Sequence, residues 1–264
     1  MSMRRPLSPH AASACRALPP DDEPSRSQLR LDAVLFDLDG VLVDSRGPIA
    51  RCLNHALSRE GLEPEPEQAL HRWIGPPLHD AFAALLSARG APRSRIPACI
   101  AHYRELYAEI SAHETPAFDG IPHCLEELGA RLELAVATSK PEAFARPILE
   151  SLGLADHFRL IAAPPLEATH REDKTRVVGR ALEALGLVAG AGRVAMVGDR
   201  DLDVRAGRSH GLCAVGACWG IGGEAELREA GADHLVALPK GLAPLLLDRG
   251  IWQRKARPRL GRGV

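Results

Sequence analysis

The chain has 264 residues, 45% of them hydrophobic and 25% charged, with a formal net charge of -1. That length suits one large domain, or a domain carrying an insert. The near-neutral balance gives no electrostatic reason to expect a nucleic-acid partner, and no apolar run reaches the roughly 20 residues that span a bilayer.

Aromatics make up only 4% of the chain, so aliphatic residues and alanine must fill the core. The six cysteines (Cys15, Cys52, Cys99, Cys124, Cys213 and Cys218) form no C-x-x-C pair. They read as small apolar residues of a reduced, cytoplasmic protein rather than as a zinc or redox site.

Residues 1–30 contain Pro6, Pro9, Pro19, Pro20 and Pro24 among Ser, Ala and Arg, with no apolar periodicity. This composition predicts a flexible tail, and the lack of a continuous apolar core argues against a secretion signal. From residue 32 short apolar runs alternate with helical patterns. Strands are expected at Ala33–Phe36, Glu133–Thr138, Arg159–Ala162, Val194–Gly198, Cys213–Gly216 and His234–Ala237. Helices are expected near 122–130, 141–152, 172–186, 202–210 and 224–230. Such alternation predicts an α/β fold, a doubly wound parallel sheet whose ligands bind beyond the carboxyl ends of the strands.

Residues 46–118 break the alternation. Ile49, Leu53, Ala56 and Leu57 recur at helical spacing, as do Leu78, Phe82, Leu85 and Leu86, and again Tyr103, Leu106, Tyr107 and Ile110. This predicts a helical cap of about 70 residues inserted into a core of 31–45 and 119–247, placed to act as a lid. Residues 248–264 carry Arg249, Arg254, Lys255, Arg257, Arg259 and Arg262, the pattern of a solvated basic tail.

Four predicted strand ends carry chemistry. Asp37 and Asp39 follow the first strand at spacing i, i+2, which puts both carboxyls on one side of an extended backbone. Crowded carboxylates call for a cation or a shared proton, and oxygen donors suit a hard ion such as Mg2+. One acid is then a candidate nucleophile and the other a proton donor. Thr138 and Ser139 end the second strand, where a hydroxyl and a backbone N–H hold phosphate oxygens or simply cap a helix. Lys174 opens a helix against its dipole, which hints at an anionic partner, although most such lysines are solvated. Asp199 and Asp203 follow the fourth strand, either sharing one side of the strand-to-helix turn or serving as an acidic N-cap.

The order D-x-D, Thr, Lys, GDxxxD resembles the haloacid dehalogenase-like hydrolase superfamily, and looks most like its phosphoglycolate phosphatase-type branch. The resemblance runs from about residue 32 to 240, and Ile74-Gly75-Pro76-Pro77-Leu78, Phe118-Asp119-Gly120-Ile121 and Trp219-Gly220 extend it. It implies a Rossmann-like core with a helical cap, Asp37 as the nucleophile that becomes an aspartyl-phosphate, and Asp39 as proton donor and then base. It further implies Mg2+ held by the Asp37 carboxylate, the Asp39 carbonyl and the Asp199 carboxylate. Thr138 and Lys174 would hold phosphoryl oxygens, Ser139 and Gly40 would add contacts, and Asp203 would support the metal shell or orient Lys174.

Dehalogenases of the superfamily lack the second acid, which is present here as Asp39. Phosphonate-cleaving members and sugar-phosphate mutases use a cap lysine, whereas residues 46–118 contain none and the first lysine of the chain is Lys140. A Mg2+-dependent phosphatase of small monoesters is therefore the expectation, with phosphoglycolate first and a nucleoside monophosphate second. Cap residues Arg46, Arg72 and His79 are candidates for reading the far end of the substrate. Thr175, where proline is common, and Arg200, where serine is common, depart from the branch. The alternative is a non-catalytic phospho-aspartate switch or binding module, but receiver domains lack a helical insert. Nothing in the sequence specifies an oligomeric state.

Overall fold

The computed structural model describes residues 31–166, 173–187 and 193–248. The expectations for the two tails concern residues 1–30 and 249–264, which lie outside the described residues.

Six parallel strands form one sheet: β1 (Ala33–Phe36), β2 (Glu133–Ala137), β3 (Leu160–Ala162), β4 (Val194–Gly198), β5 (Cys213–Ala217) and β6 (His234–Val236), in the order β3-β2-β1-β4-β5-β6. β1 is central, with Phe36 opposite Val136 of β2 and Val197 of β4. All four of its residues are buried, as a strand covered on both faces requires. Successive side chains go to opposite faces. Val34, Phe36, Val136 and Val197 join one core cluster, while Ala33, Leu35, Ala135 and Met196 join another.

Helices cover both faces. The first cluster takes residues from α5 (Ile121–Gly129), α6 (Glu142–Ser151) and α10 (Leu242–Leu247). The second takes residues from α7 (Lys174–Ala184) and α8 (Asp201–Ser209), and α9 (Gly223–Glu229) packs near β5. The α/β expectation is met, with element ends displaced by a residue or two. α10 was not anticipated, because six residues are too few to display a helical period.

Between β1 and α5 lie four helices: α1 (Arg46–Arg59), α2 (Glu67–Leu70), α3 (Leu78–Ser87) and α4 (Ile96–Glu114). The apolar stripes at 49–57, 78–86 and 103–110 fall on α1, α3 and α4. They close on one another in a separate cluster that includes Leu53, Phe82, Tyr103 and Tyr107. This is the helical cap. The chain enters and leaves it at one place, where Phe118 N–H donates to the Leu42 carbonyl (3.1 Å) and Asp44 N–H to that of Pro116 (2.9 Å).

Cys52, Cys99, Cys124 and Cys213 are buried, as expected of core residues, and Cys218 is half-buried. Cys15 lies outside the described residues. Among the described residues no helix is long and apolar enough to cross a membrane.

Candidate active site

The site lies at the carboxyl ends of β1, β2 and β4, where three adjacent parallel strands aim their following loops at one spot. Asp37 leaves β1 with its N–H bonded to the Val197 carbonyl (2.9 Å), which continues the ladder by one residue and fixes the side chain. Its Oδ1 accepts from the Leu38 N–H (2.8 Å) and meets the Lys174 ammonium at 2.7 Å.

Lys174 is buried, only 3% exposed, and reaches across from the start of α7 to both Asp37 and Asp203 Oδ1, the latter at 2.8 Å. It is not the solvated residue that a helix-start lysine usually is. Burial pulls the ammonium pKa down, but the charges of Asp203 and Asp37 outweigh it and leave the pKa above the ordinary lysine range. The second Asp203 oxygen accepts from the Arg200 N–H (3.1 Å). Of the two roles weighed for Asp203, orienting Lys174 is the one with a visible contact.

Asp199 is fully buried at the end of β4. Its Oδ2 accepts from the Ile221 N–H (2.7 Å), whereas Oδ1 has no hydrogen-bond partner. Asp37, Asp199 and Asp203 offer carboxylate oxygens within 4.8 Å of one another. One ammonium cannot neutralise three acids. Burial, then Asp203 and Asp37, hold the Asp199 carboxyl well above its usual range, and burial pushes Asp203 up to about 6 despite Lys174.

Glycines make room for this cluster. Gly40 has φ +80°, and a Cβ there would lie 2.1 Å from Asp199 Oδ2. A Cβ on Gly220 would lie 2.3 Å from that of Asp199. An orphaned buried carboxylate oxygen, an excess of negative charge and oxygen-only donors together fit a small hard cation.

Thr138 is buried beyond β2, and its Oγ1 accepts from the Lys140 N–H (3.1 Å) rather than capping α6, which begins after Pro141. Ser139 follows it and is half-buried. Asp39 stands apart from the acidic trio. Its Oδ2 meets the Lys140 ammonium at 3.1 Å, and its Oδ1 is buried without a partner.

Beside Asp39 a cleft of about 380 Å³ opens between cap and core, lined among others by Trp73, Tyr103, Tyr107, Ser139, Lys140 and Phe144. Of the cap residues nominated from sequence, His79 lines it, together with Arg104, which was not nominated. Arg46 instead pairs with Asp44 at 2.5 Å, and Arg72 lies over the Trp73 ring at 5.2 Å. Sequence reasoning also passed over Lys140 and Tyr107, whose side chains meet at the cleft. The signal available for Lys140 was its place two residues beyond a site threonine. Tyr107 carried no signal beyond its apolar stripe. Arg200 gains a visible role as well: its guanidinium donates to the Ile74 carbonyl of the cap (2.9 Å) and pairs with Glu226 (2.8 Å).

The haloacid dehalogenase-like hydrolase profile matches residues 34–217, strands β1 to β5 and the cap included. The chain is 38% identical over 211 residues to a 5'-nucleotidase of Pseudomonas aeruginosa, covering 79% of this chain and 92% of that one. It is 39% identical over 191 residues to the tyrosine-protein kinase PtkA of Mycobacterium tuberculosis, covering 72% of this chain and 62% of that one. A phosphoglycolate phosphatase of Agrobacterium fabrum is 33% identical over 195 residues, covering 70% and 80%. Among solved structures, a putative phosphatase of Clostridium difficile superposes with a TM-score of 0.75 at 30% identity, covering 83% of this chain and 99% of its own. The chain belongs to the haloacid dehalogenase-like hydrolase family, on its phosphatase side.

Proposed function

We propose that the protein is a Mg2+-dependent phosphatase that hydrolyses small phosphate monoesters through an aspartyl-phosphate on Asp37. The observation that carries this reading is the buried Lys174 bridge. It fixes Asp37 Oδ1 and supplies positive charge beside the carboxylate that must approach an anionic ester.

Asp37 attacks phosphorus, the bond from phosphorus to the ester oxygen breaks, and Asp39 gives that leaving oxygen a proton. Asp39 then takes a proton from water, which attacks the aspartyl-phosphate and releases inorganic phosphate, restoring Asp37. Thr138, Ser139, Gly40 and Lys174 hold the phosphoryl oxygens, so the reacting atoms are aligned before bond making. Mg2+ would be held by the Asp37 and Asp199 carboxylates and the Asp39 carbonyl, where it would supply charge neutralisation.

The cleft favours the second of the two substrate expectations. Its volume of about 380 Å³ and its aromatic lining suit a leaving group of nucleoside size, whereas a two-carbon glycolate would leave most of it unfilled. Phosphate release from nucleoside 5'-monophosphates and from phosphoglycolate, with Mg2+ and with EDTA, tests both parts. Asp37→Asn is expected to abolish turnover and leave the thermal melt cooperative. Full activity in that variant would overturn the mechanism, and preference for phosphoglycolate would overturn the substrate class.

A further inference from the structure

The seam between cap and core contains a buried ammonium that the reaction as written does not use. Lys140 belongs to the core, and its side chain is only 6% exposed. Its ammonium touches Asp39 Oδ2 at 3.1 Å on one side and the Tyr107 hydroxyl on the other. The ammonium lies 4.5 Å from the Tyr107 ring centroid while bonded to the hydroxyl, so it sits at the edge of the ring and not over its face.

Tyr107 belongs to cap helix α4 and is itself clamped. It stacks on Tyr103 of the same helix (5.3 Å, 14° between planes), and Phe144 of core helix α6 meets it edge-on (5.2 Å, 86°). Burial, then the charge of Asp39, hold the Tyr107 phenol well above its ordinary pKa.

From this geometry we infer that Lys140 is a positioning residue for Asp39, and that the Tyr107 hydroxyl of the cap seats it. The inference rests on the phosphatase reading above. A charge-assisted contact ties down Oδ2 and so fixes the orientation of the whole carboxyl, while Oδ1 has no partner to compete with the leaving oxygen. Proton delivery needs a donor held within hydrogen-bond reach of the leaving oxygen. Because one of the two groups that seat the ammonium lies on the cap, Asp39 is fully positioned only when the cap is seated on the core. The absence of lysine from the cap thus does not deprive the seam of an ammonium; the core supplies it.

In the first step, up to departure of the leaving group, a merely structural role would slow all esters alike, whereas a role through Asp39 depends on the leaving group. When the ester P–O bond breaks, its electron pair goes to the leaving oxygen. Para-nitrophenolate departs without a proton, but an alkoxide does not. The test compares kcat/KM, which covers the steps through departure of the leaving group and leaves out the shared hydrolysis of the aspartyl-phosphate, on para-nitrophenyl phosphate and on an alkyl ester, either a nucleoside 5'-monophosphate or phosphoglycolate, whichever the wild type turns over.

Lys140→Met is expected to lose at least about tenfold more on the alkyl ester than on the aryl ester. Lys140→Arg should recover part of that difference, and Tyr107→Phe should show a smaller selective loss. Equal losses on both esters in Lys140→Met and Tyr107→Phe, or no loss in either, would overturn the inference. If Lys140→Met melts without cooperativity, Tyr107→Phe decides alone. Wild-type protein that releases no phosphate from any of these esters with Mg2+ overturns the phosphatase reading itself, an outcome distinct from unselective loss in an active enzyme.

Discussion

Asp199 combines full burial with an oxygen, Oδ1, that has no hydrogen-bond partner, and it faces two further acids. Asparagine has the same shape. It retains an acceptor for the Ile221 N–H, now bonded at 2.7 Å, and removes the charge. The amide nitrogen that replaces Oδ1 is no better partnered, so what the variant removes is a buried charge crowded by two other acids, a gain on the order of 1–3 kcal/mol. Asp199→Asn is therefore expected to raise the stability of the metal-free protein at pH 8 by about that amount, at roughly 2–4 °C in Tm per kcal/mol for a domain of this size.

The effect has a definite pH dependence. The folded-state pKa of Asp199 is raised by burial and by Asp203 and Asp37. A carboxyl with a raised folded pKa contributes stability below its unfolded pKa and loses it as pH rises through the folded value. The advantage of asparagine should then be large at pH 8 and shrink towards pH 4. Mg2+ at 100 times its Kd should stabilise the wild type by about 2.7 kcal/mol, and this response should be lost in the variant. Thermal melts at pH 4, 6 and 8 with EDTA or Mg2+ decide the matter. A metal-free variant less stable than wild type at pH 8, or one that keeps the wild-type response to Mg2+, would refute the reasoning.

Gly40→Ala forces a side chain into φ +80° with its Cβ 2.1 Å from Asp199 Oδ2. It should cost about 1–3 kcal/mol by denaturant melt and abolish the Mg2+ shift. Arg200→Ala removes the link from the loop after β4 to the Ile74 carbonyl, a partly exposed contact worth about 1 kcal/mol. Hydrogen exchange should quicken at the Ile74 and Gly75 amides, with KM rising more than kcat falls. Burial raises the Cys52 thiol to about 12 and the Cys124 thiol to about 11. Both should resist a thiol-specific reagent at pH 8 until the protein is unfolded, and prompt labelling of either would show that its helix opens.

The sequence by itself determined the layered core and the identity of the acids. A four-residue apolar run such as Ala33–Phe36 survives only where both faces are covered, so the local pattern already implied a parallel sheet with helices on each side. The turns after β1, β2 and β4 carried Asp37, Thr138 and Asp199 in plain view, because a strand end followed by acids or hydroxyls has few local explanations. The insert was equally legible, since three stripes at helical spacing declare three amphipathic helices.

Tertiary structure decided what those residues meet. Lys174 was nominated only by its place in the motif order, because nothing local tells an exposed helix start from one docked against Asp37 and Asp203. Lys140 looked like a bystander because its partners lie 101 positions away, at Asp39, and 33 away, at Tyr107. Arg46, placed beside the first motif in sequence, spends its charge on Asp44 instead of the cleft. Hydrophobic period reports which face of an element is buried, but it carries no record of which distant charge will be found there, and in this site those long-range pairings define the electrostatics.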